Sequence, residues 1–440
     1  MKVLIISAET WRDDKNGGNV LSNIFNNTNF EFAQIYCNPG NPSNKLCKNY
    51  FQLTDTMIIN SFFSKNNKIG NKIIFNDYPN DIGKKNNNVV IENKKFYNFF
   101  RKYNLEIFYC IKELLWCSSR WKNKELDNFI DDFDPDIIFA PCYGSHFMLA
   151  LDRYVAKKTQ KPVISYISDD HYTLKQFRFS PIYWINRIIL RKNIRKTFKY
   201  YNLVYTMTEE QLTEYSSKLN CNMKILKKAG NFDYLNIKRN ITFPIKMIYA
   251  GGLYCGRDKT LYKLAKVIKE INKDKQFFIL DIYTGTQISN SKLKILNDGY
   301  NSRVNGLISL EDLKLKYQQS DIALHVESFN LKYKYLTRLS FSTKIIDCLE
   351  SGCAVMAICW KKHAGYVYLK KNNIAICIDD VKDLKKILNE IISHKEIIEY
   401  YSKKAYEIGK RNHEKKFITN TIKKDFINLA RENLNESCDY

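Results

Sequence analysis

The sequence predicts an α/β protein made of two doubly wound parallel-sheet domains. Three observations support this prediction. Short β-branched runs alternate with helical patterns, the alternation starts again after residue 240, and 440 residues exceed what one hydrophobic core usually holds. Such alternation is typical of parallel strands joined by crossover helices. We therefore expect two Rossmann-like domains in succession.

Each predicted domain has its own set of strands. The first domain, residues 1–235, takes its strands from KVLIISA, FEFAQIYC, DIIFAPC, PVISYIS and NLVYTMT. The second domain, residues 240–412, takes its strands from MIYAGG, FFILDIYTG, DIALHVE, AVMAIC and IAICI, and the two join near residues 235–245. A last helical pattern, within residues 415–440, follows the second alternation and is expected to pack back across the first domain.

The composition narrows the class of protein. Lysine and arginine total 70 against 46 acidic residues, a net charge of +24 that favours phosphate-bearing partners. The 12 cysteines form no Cys-x-x-Cys pair and no spacing with histidine, so no zinc site and no redox motif is predicted. No apolar run approaches the roughly 20 residues of a membrane span, and the N-terminal run is too short for a secretory signal. We expect a cytoplasmic protein, in solution or on the inner face of a membrane.

Ligands of open α/β sheets bind beyond the carboxyl ends of the strands, so the loops at those ends are examined first. After the first strand, Gly17 and Gly18 in DDKNGGN would let backbone approach a ligand, although a simple turn also explains the pair. After MIYAGG, which ends at Gly252, a helix begins near Arg257 and Lys259. Cations at the positive end of a helix dipole are unfavourable unless an anion lies between them. The alternative is two solvated surface charges.

The stretch FSTKIIDCLESGCAV places polar and charged groups at the start of another helix. Ser342 or Thr343 is predicted to cap this helix, Lys344 lies in its first turn, and Asp347 lies about one turn further. A carboxylate there can accept hydrogen bonds from both hydroxyls of a ribose, with a diphosphate over the helix N-terminus. The alternative is a capped helix with a Lys344–Asp347 salt bridge worth less than about 0.5 kcal/mol.

A third loop, ISDDHYTLKQ, carries Asp169, Asp170 and His171 after a strand of the first domain. An imidazole beside carboxylates that orient it can take a proton from an acceptor hydroxyl. His171 and Asp170 are therefore the predicted catalytic pair, and His146 in CYGSH is the reserve candidate. The departing phosphate could take that proton instead, in which case His171 would only bind and position.

The run DDFDPD, Asp131 to Asp136, contains an Asp-x-Asp of the kind that binds metal in some enzymes. It precedes the strand DIIFAPC, at the end of the sheet away from the ligand loops. Pro135 and the acids fit an ordinary turn between helix and strand. No metal and no cofactor is therefore predicted, and leaving-group charge would fall to Arg257, Lys344 and helix dipoles.

Taken together, these residues resemble the GT-B glycosyltransferases, and within them the retaining family 4 enzymes. The resemblance covers nearly the whole chain, from GGNVLSNIF through YISDDHY and YAGGLYCGRDKTL to STKIIDCLESGCAV. It implies two Rossmann-like domains that face each other across a cleft, with a nucleotide sugar held mostly on the second domain.

The resemblance also implies roles for single residues. Asp347 would take the place of the family's ribose-binding Glu, and Arg257 with Lys259 or Lys344 that of its diphosphate-binding Arg and Lys. The family usually has a further Glu eight residues before the ribose ligand, where this chain has Leu339. Glu327, at the end of DIALHVE, is the candidate substitute that would contact the donor sugar, and a solvated strand-end residue is the alternative.

Two patterns bear on membrane contact. WINRIILRKNIRKTFKYY has an apolar stripe of Leu190, Ile194, Phe198 and Tyr201 opposite a basic face, and residues 96–114 carry a second apolar stripe. Core packing with solvated basic backs explains both stripes. The basic face could also rest on anionic headgroups, which suits an acceptor anchored in lipid.

The predicted function is transfer of a sugar, as a hexosyltransferase, from a nucleotide sugar to a glycan or lipid-linked acceptor in cell-surface polysaccharide synthesis. The resemblance implies a retaining, metal-independent reaction. A nucleotide-sugar 2-epimerase of the same fold is one alternative. A non-catalytic basic scaffold that binds membrane or nucleic acid is another, although no nucleic-acid recognition motif supports it.

Overall fold

The computed structural model describes residues 1–12, 16–63, 68–75, 106–232 and 240–438. Two sheets, one of eight strands and one of six, form the framework of these residues. Both sheets are covered by helices, and their central strands are apolar on both faces, as in β1, where residues 3–6 are fully buried. The predicted α/β fold with two Rossmann-like domains is confirmed.

The first sheet has the strand order β4-β3-β2-β1-β5-β6-β7-β8. All neighbouring strands are parallel except β3 and β4, which are antiparallel. The strands are β1 (Lys2–Ser7), β2 (Glu31–Tyr36), β3 (Cys47–Gln52), β4 (Asn71–Ile74), β5 (Ile137–Pro141), β6 (Val163–Ile167), β7 (Leu203–Thr206) and β8 (Met223–Ile225). The helices between them are α1 (Asn16–Phe25), α2 (Asp55–Phe63), α3 (Glu106–Cys117), α4 (Lys124–Phe133), α5 (His146–Thr159), α6 (Pro181–Phe198) and α7 (Glu209–Ser216).

The second sheet is wholly parallel, with the order β11-β10-β9-β12-β13-β14. Its strands are β9 (Ile245–Ala250), β10 (Phe278–Tyr283), β11 (Ser302–Asn305), β12 (Ile322–Val326), β13 (Ala354–Ile358) and β14 (Ile376–Ile378). The helices are α8 (Arg257–Ile271), α9 (Asn290–Leu296), α10 (Leu310–Gln318), α11 (Leu331–Leu336), α12 (Lys344–Glu350), α13 (Ala364–Lys371), α14 (Leu384–Ser393), α15 (Glu396–His413) and α16 (Lys415–Cys438).

Each sheet reverses its winding direction at one point, between β1 and β5 in the first and between β9 and β12 in the second. A crevice opens beyond the carboxyl ends of the strands at such a point, and ligands of this architecture bind there. The helices α1 and α8 begin directly after β1 and β9. Their first turns therefore lie where a ligand is expected.

The last helix, α16, packs against the first domain. Phe426 is fully buried against Phe25, Phe139 and Phe30, with ring centroids 5.7, 6.1 and 5.8 Å away. Asp425 accepts hydrogen bonds from the hydroxyl of Tyr205 at 2.8 Å and from Lys224 at 2.7 Å. The first domain is thus completed by residues that follow the second domain in sequence.

Some elements were not predicted from sequence. Strand β3 contains no β-branched residue, and β8 and β11 contain one each. Strands β4 and β8 are short and largely solvent-facing, so they lack the apolar run of a central strand. The predicted stripe over residues 96–114 falls partly outside the described residues, as does part of the predicted domain join. Among the described residues, no helix has the length and apolarity to cross a lipid bilayer.

Candidate active site in the cleft between the domains

A cavity of about 270 Å³ lies between the domains, where the winding reversals of the two sheets face each other. On the first-domain side, Asn19 and Asn23 of α1 line it, together with Lys227 and Lys228 from the segment after β8. Asn23 also exchanges hydrogen bonds with the backbone of Ala229 at 3.0 and 3.1 Å. Helix α1 and the segment after β8 are therefore held together at the cavity.

The second domain contributes the opposite wall. Tyr254 and Arg257 come from the start of α8, and Ser342, Thr343 and Lys344 come from the start of α12. The floor is apolar, and its residues are Val20, Ile24, Tyr166, Met207, Leu226, Ile418 and Ile422. Helix α16 thus reaches the cavity as well as the first-domain core.

The described charged side chains that line the cavity are all cationic. Four cationic side chains line it, those of Lys227, Lys228, Arg257 and Lys344, and no acidic side chain is found among its described lining residues. Two of the cations come from each domain. Such an arrangement attracts a multiply charged anion to the space between the domains.

Arg257 is held in place by a buried carboxylate. Its Nε and Nη2 donate to the two oxygens of Glu327 at 3.1 and 2.7 Å, and both residues are buried. Burial alone would lower the pKa of Arg257, but the Glu327 carboxylate raises that pKa above its usual value. Glu327 is therefore not a solvated strand-end residue, and it orients a guanidinium that remains charged.

Lys344 enters the cavity against the backbone at the end of β9. A Cβ atom built on Gly251 would lie 1.8 Å from the Lys344 Nζ, so only glycine, here at φ +146°, admits the ammonium. Nζ lies 3.4 Å from the Tyr249 hydroxyl. Burial, reinforced by the charge of Arg257, lowers the pKa of Lys344 to about 8. An anion in the cavity would compensate this desolvated cation.

Asp347 does not line the cavity, and its carboxylate is already paired. Lys228 Nζ contacts Asp347 Oδ1 at 3.1 Å and the backbone carbonyl of Thr343 at 3.1 Å. The Lys344–Asp347 salt bridge, considered as the alternative in the sequence analysis, does not form, and a Lys228–Asp347 pair joins the two domains instead. Asp347 remains half exposed, with 42% of its side chain accessible to solvent.

The predicted caps of α12 do not form as expected. Thr343 occupies the N-cap position with helical backbone angles, and its side chain makes no capping hydrogen bond. The backbone carbonyl of Ser342 instead accepts a hydrogen bond from the amide of Ile345 at 3.0 Å. Both hydroxyl side chains belong to residues that line the cavity.

The remaining residues predicted for the donor site differ in whether they lie at the cavity. Gly17 and Gly18 lie in the first turn of α1, next to the lining residue Asn19. Gly252 lies beside Tyr254, whose ring a Cβ atom would meet at 2.2 Å. Lys259 is exposed on α8 and does not line the cavity. Of the two predicted partners of Arg257, the structure brings only Lys344 into the cavity.

The His171 loop lies on the first-domain side, and neither His171 nor Asp170 lines the cavity itself. The His171 ring packs against Gly144, where a Cβ atom would lie 2.6 Å from its Nδ1. Burial and the nearby Arg187 lower the pKa of His171 more than Asp169 and Asp170 raise it. The ring is therefore neutral at neutral pH and able to accept a proton.

Asp170 is buried and organises this loop. Its carboxylate accepts from the amide of Thr173 at 2.8 Å and from the hydroxyl of Tyr215 at 3.1 Å, and it lies 3.4 Å from both Arg187 and Arg338. Every one of these contacts fixes the loop. The structure thus shows Asp170 holding this loop in place, and its catalytic role stays a prediction.

His146, the reserve candidate, is fully engaged elsewhere. Its Nε2 lies 2.8 Å from the Asn186 amide oxygen and its Nδ1 lies 2.8 Å from the Asn193 amide nitrogen. Both partners belong to α6. His146 therefore ties α5 to α6 and has no ring nitrogen left for a substrate.

The segment at Leu339 joins the domains. Leu339 is buried within the first-domain core, although the family resemblance expects a sugar-binding Glu there. Arg338 donates to Glu214 at 2.6 Å, and the Ser340 hydroxyl donates to Asp169 at 2.8 Å. Three consecutive residues of the second domain thus dock on the His171 loop and on α7.

The acidic run at residues 131–136 lies at the opposite end of the first sheet. Asp136 accepts the amide of Lys2 at 2.7 Å, and Asp131 pairs with Lys158 at 2.9 Å. These contacts lie at the amino end of β5 and far along the strands from the cavity. The Asp-x-Asp motif therefore has no access to a ligand in the cleft.

Sequence reasoning missed several cavity residues. Lys227 and Lys228 follow a short unpredicted strand, and adjacent lysines in a loop are too common to stand out. Asn19 and Asn23 are four residues apart, which puts them on one face of α1, and this spacing could have identified them beside Gly17 and Gly18.

The sequence matches no protein-family model and no curated protein. The fold, in contrast, is similar to solved structures over nearly its full length. Sucrose-phosphate synthase from Thermosynechococcus elongatus has a TM-score of 0.61 at 11% identity, with 97% of this chain and 98% of that chain covered. TarM has a TM-score of 0.60 at 10% identity, with 98% of both chains covered.

A third similar structure is HepE of Anabaena in complex with UDP and glucose. Its TM-score is 0.59 at 10% identity, with 97% of this chain and 100% of that chain covered. At such identities the likeness concerns the fold. The chain therefore has the GT-B fold, in which two Rossmann-like domains face each other across a cleft.

Proposed function

We propose that the protein is a glycosyltransferase that binds a nucleotide sugar in the cleft and transfers its sugar to an acceptor. One observation carries the proposal: four cations from both domains, and no acid among the described lining residues, surround a cavity at the switch points of the two sheets. A nucleoside diphosphate is the anion that suits such a site. Three of the similar structures, those of HepE, contain UDP or UDP-glucose in the same fold.

The proposed donor chemistry uses the charges of this chain. Arg257, oriented by Glu327, and Lys344 would neutralise the diphosphate as it departs, with Lys227 and Lys228 closing from the first domain. We infer a metal-independent transfer, since no described carboxylate faces the cavity to hold a divalent ion beside the phosphates. The retaining stereochemistry is inferred from the family resemblance alone.

The proposed acceptor is a glycan or a lipid-linked saccharide of cell-surface polysaccharide synthesis, bound on the His171 side. Helix α6 supports the lipid-linked form. Leu190, Ile194, Phe198 and Tyr201 are buried, as predicted, but the outer face also carries exposed isoleucines, among them Ile185 with 60% of its surface accessible. The same face continues into basic residues, namely Lys192, Arg195, Lys196 and Lys199.

An exposed apolar strip next to a basic strip suits the surface of an anionic membrane. Phe179, 87% exposed just before α6, extends the apolar part. The buried Arg187 of the same helix donates to the backbone of Asp170 at 2.8 Å, so α6 is tied directly to the His171 loop. A membrane-bound acceptor would therefore reach the cleft beside this helix.

A panel of nucleoside diphosphates and nucleotide sugars tests the donor proposal. A ligand at 100 times its dissociation constant stabilises the fold by about 2.7 kcal/mol, which a thermal-shift measurement detects. We expect at least one nucleoside diphosphate to bind, and its nucleotide sugar to be consumed when acceptor is present. If none of the panel shifts the melting temperature, the non-catalytic scaffold is the better explanation.

Asp347 tests the ribose assignment separately. We expect Asp347→Ala to weaken nucleotide binding by roughly 1.5–3 kcal/mol, the scale of a charged hydrogen-bonding partner. The Lys228 pair must then open for the carboxylate to reach a ribose. Equal calorimetric affinity in variant and parent would remove Asp347 from the donor site. The 2-epimerase alternative predicts instead that a nucleotide sugar is isomerised without any acceptor.

A further inference from the structure

A group of metal-ligating side chains lies in the second domain outside the cleft cavity. His325, Cys359 and His363 are buried, with 2%, 0% and 2% of their surfaces exposed. One ligand atom of each lies within 4.8 Å of the others. None of the three lines the cavity between the domains. These residues therefore form a separate cluster with no part in the proposed donor site.

The register of the sheet explains why these residues meet. His325 pairs with Ala357 across the parallel strands β12 and β13, and Cys359 follows Ala357 by two residues, on the same face. His363 stands at the N-cap of α13, which begins just after this strand end. Two segments that are separate in sequence thus bring two imidazoles and a thiol to one point.

The hydrogen bonding of the cluster is incomplete. The Nε2 atom of His325 is buried and has no hydrogen-bond partner. The nearest acceptor found for the Cys359 thiol is the Trp360 carbonyl oxygen, at 3.7 Å. A buried polar atom without a partner is costly, and an ion or ordered water usually accounts for it. The unpartnered nitrogen is independent evidence that something binds at this point.

We propose that His325, Cys359 and His363 bind a zinc ion. Two imidazoles and a thiolate are a ligand set that zinc prefers, with bonds of about 2.0–2.3 Å. Ligand atoms of one tetrahedral site are then about 3.4–3.6 Å apart, so a contraction of about 1 Å brings the three side chains to bonding distance and leaves the fourth position to water. Small rotations of buried side chains provide this contraction.

Zinc binding changes the protonation of two ligands. The Cys359 thiol loses its proton, because only the thiolate coordinates. His363 Nδ1 accepts the amide of Gly365 at 3.1 Å, so its Nε2 carries the ring proton before the metal binds. Coordination by Nε2 moves that proton to Nδ1 and exchanges the cap of α13 for a metal bond. Zinc uptake is therefore accompanied by proton release.

The bound ion would be structural and would act on the cleft indirectly. It would lock the ends of β12 and β13 to the start of α13. Glu327, which orients Arg257, follows His325 by only two residues. This position differs from the Asp-x-Asp run that sequence analysis considered, and the inference does not depend on the proposed function. Its role is to fix the strand end behind the cavity.

Metal analysis of the purified full chain tests the inference. We expect about one zinc per chain after dialysis against metal-free buffer, because three protein ligands hold the ion. Cells grown with cobalt in place of zinc should yield protein with a thiolate-to-cobalt charge-transfer band and the visible bands of tetrahedral cobalt. A wild-type protein with less than about a tenth of an equivalent of zinc, and without these bands, would overturn the proposal.

Variants identify the ligands. Cys359→Ser and His325→Gln should each reduce zinc affinity at least about tenfold, measured by competition with a chromogenic chelator. Cys353→Ser is the matched control, since Cys353 is also buried but bonds the carbonyls of Tyr317 and Ser320 at 3.0 and 3.2 Å. The control should keep its zinc. Unchanged zinc in both ligand variants, or copper as the only bound metal, would contradict the assignment.

Discussion

At the scale of single residues, the candidate site depends on charges that are held by partners behind them. Arg257 is oriented by Glu327, Lys228 is paired with Asp347, and Lys344 is desolvated against Gly251. Of these, Lys344 has no carboxylate within salt-bridge distance in the described part of the chain. It is therefore the cation whose charge depends most on a bound anion.

The lowered pKa of Lys344 predicts that nucleotide binding depends on pH. Its pKa, lowered to about 8 by burial, must rise when a diphosphate binds, because the complex favours the charged form. Affinity should thus be constant well below pH 8 and fall by up to about tenfold per pH unit above it. Calorimetric titration of UDP or another bound diphosphate across this range measures the effect.

Lys344→Met should weaken diphosphate binding. It should also remove the part of the fall in affinity above pH 8 that is due to Lys344. Lys259→Met is the control, because Lys259 is exposed and does not line the cavity, and its affinity and slope should match those of the parent. A Lys344→Met variant that keeps the parental slope would assign the pH dependence to another group.

The proposed role of His171 as proton acceptor predicts that its replacement slows turnover. His171→Ala should lower kcat by about 10²–10⁴-fold if the neutral ring accepts the acceptor proton, with nucleotide affinity nearly unchanged. His146→Ala is the control, because both of its ring nitrogens bind α6, so it should lower the melting temperature and keep the rate per folded molecule. Full activity in a stable His171→Ala protein would leave the proton to the departing phosphate.

At the scale of elements, patterns that are local in sequence were predictable and contacts between distant segments were not. Helix α8 and the start of α12 were identified because their charged residues lie next to apolar strands. The burial of Glu327 could not be read from its position, because its partner Arg257 is 70 residues away. The pairing of Asp347 with Lys228 could not be predicted for the same reason, because the two residues are 119 positions apart.

Helix α6 shows a related limit of prediction from sequence periodicity. Its buried stripe was predicted correctly, whereas the exposed isoleucines on its outer face resemble core residues in sequence. Only the packing of α3 and α5 against one side of α6 distinguishes the two sets. The outer face is therefore a feature of the folded chain that periodicity does not reveal.

The outer face of α6 predicts membrane binding. Replacing Ile185 and Ile189 together by Asp should reduce binding to anionic phospholipid vesicles, because it removes apolar contact and adds negative charge. Leu310→Asp is the control, since Leu310 is 77% exposed on the second domain. Cosedimentation with vesicles measures the difference. Equal binding of the double variant and the parent would exclude α6 as the contact surface.

At the scale of the whole molecule, the core of the first domain contains residues that lie in the second domain or after it in sequence. Leu339 of the second domain lies in the first-domain core, and α16 completes that core with Ile418, Ile422 and Phe426. The return of α16 was predicted, since a helical pattern after the last strand has only the first domain left to cover. The insertion of Leu339 was not, because nothing local separates it from an ordinary helix-flanking leucine.

Phe426 predicts how much the first domain depends on α16. Phe426→Ala should lower the free energy of unfolding of the first domain by about 3–5 kcal/mol, the usual cost of removing a buried phenylalanine. Phe417→Ala on the same helix should change it by less than about 0.5 kcal/mol, because Phe417 is exposed. Denaturant unfolding followed by near-ultraviolet circular dichroism compares them. Equal stabilities would place α16 outside the first-domain core.

The return of α16 also has a consequence for how the chain is made. Strands β1 to β8 leave the ribosome long before Ile418 and Phe426 are synthesised, so the first domain has an open core while translation continues. The second sheet, from β9 to β14, is complete within one uninterrupted segment and can close earlier. Domains generally fold in the order of their synthesis. In this protein the domain that is made first is finished last.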